Sequence, residues 1–173
     1  MEIEILHDLI TIPVPRQTKA PWLKESATKV MTVYPFVFRV VDASRNIDEI
    51  IVLPAGYIFD WSSIPRLMWA FYPPNYSEAR RGAAAHDYLY SHLYHYFDKD
   101  FADELLVAFM EKEGAGKTTC FIFYWAVRIG GRGGWAELGK ENTHPHWREH
   151  HEKLSYDPSS EVSTSPFATP QIT

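Results

Sequence analysis

The fold of this chain is decided by two runs of apolar and β-branched residues, Phe36-Val37-Phe38-Arg39-Val40-Val41-Asp42 and Ile47-Asp48-Glu49-Ile50-Ile51-Val52-Leu53. Runs of this composition are typical of β-strands. The turn residues Pro54-Ala55-Gly56 follow the second run and predict a reversal of the chain before a short third strand over residues 57–60. The three strands are therefore predicted to form a small antiparallel meander.

Beyond residue 60 the pattern changes from strand to helix. Helices are predicted over residues 66–72, over residues 78–94, from Asp98 or Asp100 to Glu113, and over residues 118–130. Prolines or glycines follow three of these segments, where they stop helices. The sequence thus predicts an α+β fold, in which a small antiparallel β-meander precedes a cluster of about four helices.

The two ends of the chain differ in composition from the middle. Residues 1–33 contain short alternating apolar segments interrupted by prolines, which predict an N-terminal arm or edge strands. The α+β core domain is predicted over residues 34–132. Residues 133–154 form a polar segment rich in histidine, and residues 155–173 are rich in Ser, Thr and Pro, as in an extended tail.

Composition excludes several classes of protein. A chain of 173 residues is expected to form one domain with appendages, and a single cysteine, Cys120, excludes both a disulfide framework and a cysteine-cluster zinc finger. The net charge of −5 does not favour a nucleic-acid partner. Because no apolar run reaches about 18 residues, no membrane span is expected. The acidic start of the chain is unlike a signal peptide, so that folding in a reducing cytoplasm is expected.

Four residues form the strongest candidate for a chemical site: Asp60, His86, Asp87 and Asp103. The small residues 82–85 precede His86 and allow a second helix to approach closely, which would bring Asp103 opposite the imidazole. One imidazole with two or three carboxylates suits a divalent metal such as Zn²⁺, Mg²⁺ or Mn²⁺. Such an ion could activate water for hydrolysis, and Tyr90, one turn after His86, could orient a ligand.

The same residues also have a purely structural interpretation. Asp60 would then cap the following helix, His86 would hydrogen-bond Asp103 between two helices, and Asp87 would lie on the solvated edge. The sequence leaves both interpretations open.

A second cluster of histidines lies in the polar segment. His146-Trp147-Arg148-Glu149-His150 has the spacing of inverted zincins, and His144 and His151 flank it. Because a match of five positions in a His-rich stretch arises easily by chance, a solvated or partner-facing segment is the favoured interpretation.

Aromatic residues are dense in the second predicted helix and directly after it: Tyr88, Tyr90, Tyr94, Tyr96 and Phe97. Some of them are needed for the core. The remainder is expected to be exposed on so small a domain, which favours a protein partner.

Residues 53–132 resemble a phage and prophage family known as domain of unknown function thirteen fifty-three. The resemblance rests on three motifs in order, which are the strand and turn over residues 53–66, His86-Asp87-Tyr88-Leu89-Tyr90, and the helix over residues 102–110. Residues 124–131 resemble the last helix of that family. The sequence departs from the family at Phe59 and Trp61, where smaller residues are common.

This resemblance implies a phage or prophage origin and no settled activity. The leading prediction is a virion-associated structural protein of the tail, baseplate or neck, which binds other virion proteins through its arms. It would reside in the virion, and in the host cytoplasm during assembly. The alternative is a metal-dependent hydrolase, directed at cell-wall peptidoglycan, that uses Asp60, His86, Asp87 and Asp103.

Overall fold

The computed structural model describes residues 1–15, 29–60 and 76–130. Within these ranges the chain forms six strands, namely β1 (Glu2–His7), β2 (Thr11–Pro13), β3 (Lys29–Thr32), β4 (Phe36–Asp42), β5 (Ile47–Leu53) and β6 (Ile58–Asp60). It also forms three α-helices, namely α1 (Arg80–Tyr88), α2 (Lys99–Lys112) and α3 (Lys117–Gly130). A 3₁₀ turn over Ser77–Ala79 precedes α1, and a π-helical turn over Leu89–Leu93 extends it. The predicted α+β class is confirmed.

The first sheet has the order β1-β4-β5 and is antiparallel throughout. The two strands that the sequence predicted most clearly, β4 and β5, pair in register from Phe36 with Leu53 to Asp42 with Ile47. On β4 the alternate side chains of Phe36, Phe38 and Val40 are fully buried, whereas Arg39 is exposed. This alternation turns one face of the sheet toward the helices.

The predicted meander is wrong in its third strand, because β6 pairs with β3 and not with β5. The turn after β5 is bonded to the end of β3 and redirects the chain. The Thr32 hydroxyl donates to the Pro54 carbonyl at 2.6 Å, and the Gly56 amide donates to the Thr32 carbonyl at 2.8 Å. Gly56 has φ +82°, a left-handed conformation that favours glycine. The second sheet consequently has the order β2-β3-β6.

The helices follow their predicted positions closely. Asp98 caps α2, since its carboxylate accepts a hydrogen bond from the Phe101 amide at 2.7 Å. Gly114, with φ +88°, ends the same helix, and the Ala115 amide donates to the Met110 carbonyl as in a Schellman motif. The predicted helix over residues 66–72 lies outside the described residues, as do residues 133–154 and 155–173, so that the predicted number of about four helices is not tested.

Two apolar clusters hold these elements together. The larger lies between the first sheet and the helices, where the Phe38 and Phe109 rings meet edge to face with centroids 4.9 Å apart. The smaller lies between α2 and α3 and includes Leu106, Phe123 and Cys120. Cys120 is buried there, which confirms its prediction as a small core residue. Among the helices described, none has the length and apolar character needed to cross a bilayer.

Candidate functional site

A close crossing of α1 and α2 creates the site. A Cβ atom added to Gly82 would lie 2.8 Å from the backbone carbonyl oxygen of Leu106. The alanines that follow Gly82 are also buried. Because small side chains let the two helix backbones approach, the next turn of α1 brings His86 against Asp103 of α2, as the sequence predicted.

His86 and Asp103 form a direct hydrogen bond in the protein interior. The distance from His86 Nε2 to Asp103 Oδ1 is 3.1 Å, and both side chains are buried. The Tyr90 hydroxyl donates to the same carboxylate oxygen at 2.7 Å, and its ring lies 4.1 Å from the imidazole, centroid to centroid. Asp103 Oδ1 therefore accepts from two side chains of the segment that begins with α1.

Lys99 completes the site, although the sequence analysis missed it. Its ammonium donates to Asp103 Oδ2 at 2.6 Å and to the Val127 carbonyl, near the end of α3, at 3.1 Å. The signal was present, because Lys99 and Asp103 stand four residues apart on one helix, a spacing at which opposite charges meet. We call His86, Tyr90, Lys99 and Asp103 the helix junction, since the Asp103 carboxylate and its partners connect α1, α2 and α3.

The electrostatics of the helix junction favour charged partners. Burial lowers the pKa of His86, but the hydrogen bonds and charges of Asp103 and Asp87 outweigh burial, and the pKa lies above its ordinary value. Burial raises the pKa of Asp103, but hydrogen bonds from His86, Lys99 and Tyr90 outweigh it and lower the pKa. Burial, together with the bond to Asp103, raises the pKa of Tyr90. The junction accordingly holds a carboxylate between two cationic groups and a neutral phenol.

Asp87 corrects the structural interpretation made from sequence. Its Oδ1 atom lies 3.5 Å from His86 Nδ1, and only 14% of its side chain is exposed. It therefore faces the imidazole from the side opposite Asp103 and does not lie on a solvated edge.

The predicted metal set is brought together only in part. His86, Asp87 and Asp103 are neighbours, but Lys99 occupies the position beside Asp103 Oδ2 that a bound cation would take. Within residues 1–15, 29–60 and 76–130, no group of three or more His, Cys, Asp or Glu side chains is arranged to hold a metal ion. Asp60 ends β6, and its side chain is not among those described. The histidines at 144, 146, 150 and 151 also lie outside the described residues.

A second feature, missed by the sequence analysis, is the outer face of α3. Phe121, Trp125 and Ile129 are 65%, 48% and 70% exposed, whereas the opposite face packs on α2. The spacing of i, i+4 and i+8 within an almost entirely apolar helix was the available signal, because such a helix is apolar on both sides. Of the aromatic residues predicted to face a partner, Tyr96 is exposed and Tyr88 and Tyr90 are buried.

Comparison with known proteins identifies the family and no individual relative. No curated protein matches the chain, and no solved structure matches it. The family described as "Protein of unknown function (DUF1353)" matches residues 36–127, a range that runs from the start of β4 to near the end of α3 and includes the helix junction. Since this match covers more than half of the 173 residues, the chain belongs to the DUF1353 family.

Proposed function

We propose that this protein is a structural component of a phage particle, in its tail, baseplate or neck, and that it binds neighbouring virion proteins. The observation that carries the proposal is the outer face of α3. Three large apolar side chains lie there in one row, with the Phe121 and Trp125 rings 6.3 Å apart. The phage setting rests on the resemblance of residues 53–132 to a phage and prophage family.

The physical reason is the cost of leaving such a row in water. Each large apolar side chain gains about 1.5–3 kcal/mol when it is fully buried. Contiguous apolar surface on a small domain marks an interaction site more often than single exposed residues do. Aromatic residues such as Phe121 and Trp125 are also enriched at the centres of protein interfaces. A binding role therefore accounts for a feature that contributes little to the fold itself.

The first sheet offers further support for an assembly role. β1 is an edge strand, and its exposed residues Glu2 and Glu4 place charges along that edge. Charged edges discourage unspecific pairing of strands between molecules. A protein protected in this way at its sheet edge can present a different surface, the face of α3, for specific binding.

Quantitative mass spectrometry of purified particles tests the proposal. We expect the chain to be present at a fixed copy number per particle after extensive washing. Its absence from mature particles would overturn the proposal, because a structural component stays with the assembly.

A metal-dependent hydrolase is the second candidate, and the contact of His86 with both Asp87 and Asp103 favours it. In this function those residues, with Asp60, would hold Zn²⁺, Mg²⁺ or Mn²⁺. The metal would have to replace the Lys99 ammonium beside Asp103. Metal analysis of the purified protein separates the candidates: one ion per chain that is lost in His86→Ala would support the hydrolase. Substoichiometric metal that is unaffected by the substitution would contradict it.

A further inference from the structure

The row formed by Phe121, Trp125 and Ile129, which we call the outer stripe, has a fixed orientation. On the opposite side of α3, Cys120, Phe123 and Val127 are buried against α2. At the end of the helix, Lys99 donates to the carbonyls of Val127 and Arg128. Both anchors hold α3 so that the outer stripe points away from the core, as a preformed binding surface requires.

The spacing of the outer stripe indicates the shape of the partner. Residues at i, i+4 and i+8 form one of the ridges by which helices pack, and such a ridge fits the groove between side chains of a second helix. Apolar anchors at helical spacing are also how amphipathic helices are recognised. Trp125, in the middle of the stripe, is of a residue type that often dominates binding energy. The geometry therefore favours a helix as the partner.

The charges of α3 indicate the composition of that helix. α3 has no acidic residue, and Lys117 is exposed at its first position, where the helix dipole is also positive. Arg128 is already paired with Asp100. The acidic Glu111 acts on Cys120, on the buried side of α3, and so does not offset Lys117 at the outer stripe. Acidic side chains on the partner would complement this positive border, whereas the α3 helix of a second copy would supply none.

We propose that the outer stripe docks an amphipathic helix of a neighbouring protein, in which acidic side chains border the apolar residues. The inference rests on the proposed function, since the neighbour is a component of the same assembly. It adds the structural class of the bound segment and the sign of its charge.

Site-specific photo-crosslinking during particle assembly tests the inference. Phe121 is replaced by p-benzoylphenylalanine in the full chain, the producing cells are irradiated, and the crosslinked peptides are identified by mass spectrometry. We expect a peptide from a different chain, with apolar residues at spacings of three and four and with Asp or Glu between them. The same probe at Tyr34, an exposed aromatic residue between β3 and β4, is the control and should not yield that peptide.

The charge requirement is tested in the same experiment. Lys117→Glu should reduce the yield of the crosslink at least about threefold, because it places a negative charge against an acidic helix. Lys112→Glu makes the same charge change at an exposed position of α2 and should leave the yield unchanged.

Several results would overturn the inference. These are crosslinks to this chain itself, to a second copy of it, to lipid, or to a peptide without acidic residues, and also an absence of crosslinks. In each case the presence of the chain in washed particles would still stand as the separate test of the proposed function.

Discussion

The helix junction and the outer stripe of α3 reverse the usual distribution of side chains. The junction buries a carboxylate, an ammonium and an imidazole, while the stripe exposes Phe121, Trp125 and Ile129. Buried ionic groups are costly to desolvate, and exposed apolar groups are costly in water. Lys99 connects the two regions, since it bonds both Asp103 and the end of α3. The comparison suggests a division of tasks, in which the junction fixes the position of α3 and the stripe binds a partner.

Removal of the central carboxylate should have the largest effect on stability. Asp103→Ala leaves the His86 and Lys99 side chains facing each other without the anion that they share. We expect the free energy of unfolding to fall by about 3–5 kcal/mol in urea titrations, because loss of one partner strands buried charge.

Asp100→Ala serves as the control, because it removes a carboxylate from the same helix at an exposed position. Its cost should stay below about 1 kcal/mol. Equal costs for the two substitutions would contradict a special role for the junction.

A side chain at the crossing of α1 and α2 should have the next largest effect. In Gly82→Ala the new methyl group would meet the Leu106 backbone, which cannot move away as a flexible side chain would. We expect a loss of about 1–3 kcal/mol, measured by thermal or urea unfolding. Gly116→Ala, where a Cβ atom has no neighbour within 4 Å, should cost less than about 1 kcal/mol. If both variants were equally stable, the helices would not be in close contact at Gly82.

The pH dependence of stability should report on His86. Because its pKa is raised in the folded state, protonated His86 stabilises the fold fully below its ordinary value of 6.5. This stabilisation is lost as the pH rises through the raised value. Asp103 acts in the opposite sense: its lowered pKa stabilises the fold above the ordinary value of 3.8, and the effect is lost as the pH falls through the lowered value. The charged and titratable groups around His86 are Asp87, Tyr90, Lys99, Asp103 and, more distantly, Arg128.

Replacement of the imidazole tests this assignment. We expect the difference in unfolding free energy between the unmodified protein and His86→Gln to shrink as the pH rises from 5.5 to 8.5. Urea titrations at each pH measure it. Parallel pH profiles for the two proteins would show that His86 does not carry the proposed charge.

Substitution in the outer stripe should have the smallest effect on stability. Trp125→Asp changes a side chain that contributes little to the core, so that the free energy of unfolding should change by no more than about 0.5 kcal/mol. Phe123→Asp is the matched control on the buried side of the same helix and should destabilise the protein strongly. A large loss for Trp125→Asp would mean that the stripe belongs to the core.

Much of the architecture was predictable because it depends on local pattern. The β4 and β5 strands are runs of apolar residues, Asp98 caps α2, and the small residues before His86 allow the close helix crossing. The pairing of β6 with β3 was not predictable in this way. It depends on bonds between Thr32 and the distant turn at residues 54–57, which no local pattern reveals.

The candidate site shows the same limit. The approach of His86 and Asp103 followed from helix positions, but the role of Lys99 depends on where the end of α3 lies relative to α2. The outer stripe could have been found from the sequence, since an almost entirely apolar helix needs burial on two sides and the core supplies only one. The sequence could not say which side α2 would cover.

Competition during assembly tests the central claim most directly. The unmodified protein and a Phe121→Asp/Trp125→Asp variant are produced in equal amounts in the same cells, and their ratio in purified particles is measured by mass spectrometry. The account predicts at least about tenfold depletion of the variant from particles, while Tyr34→Asp, at an exposed aromatic residue elsewhere, competes normally. Equal incorporation of the folded double variant and the unmodified protein would contradict the account.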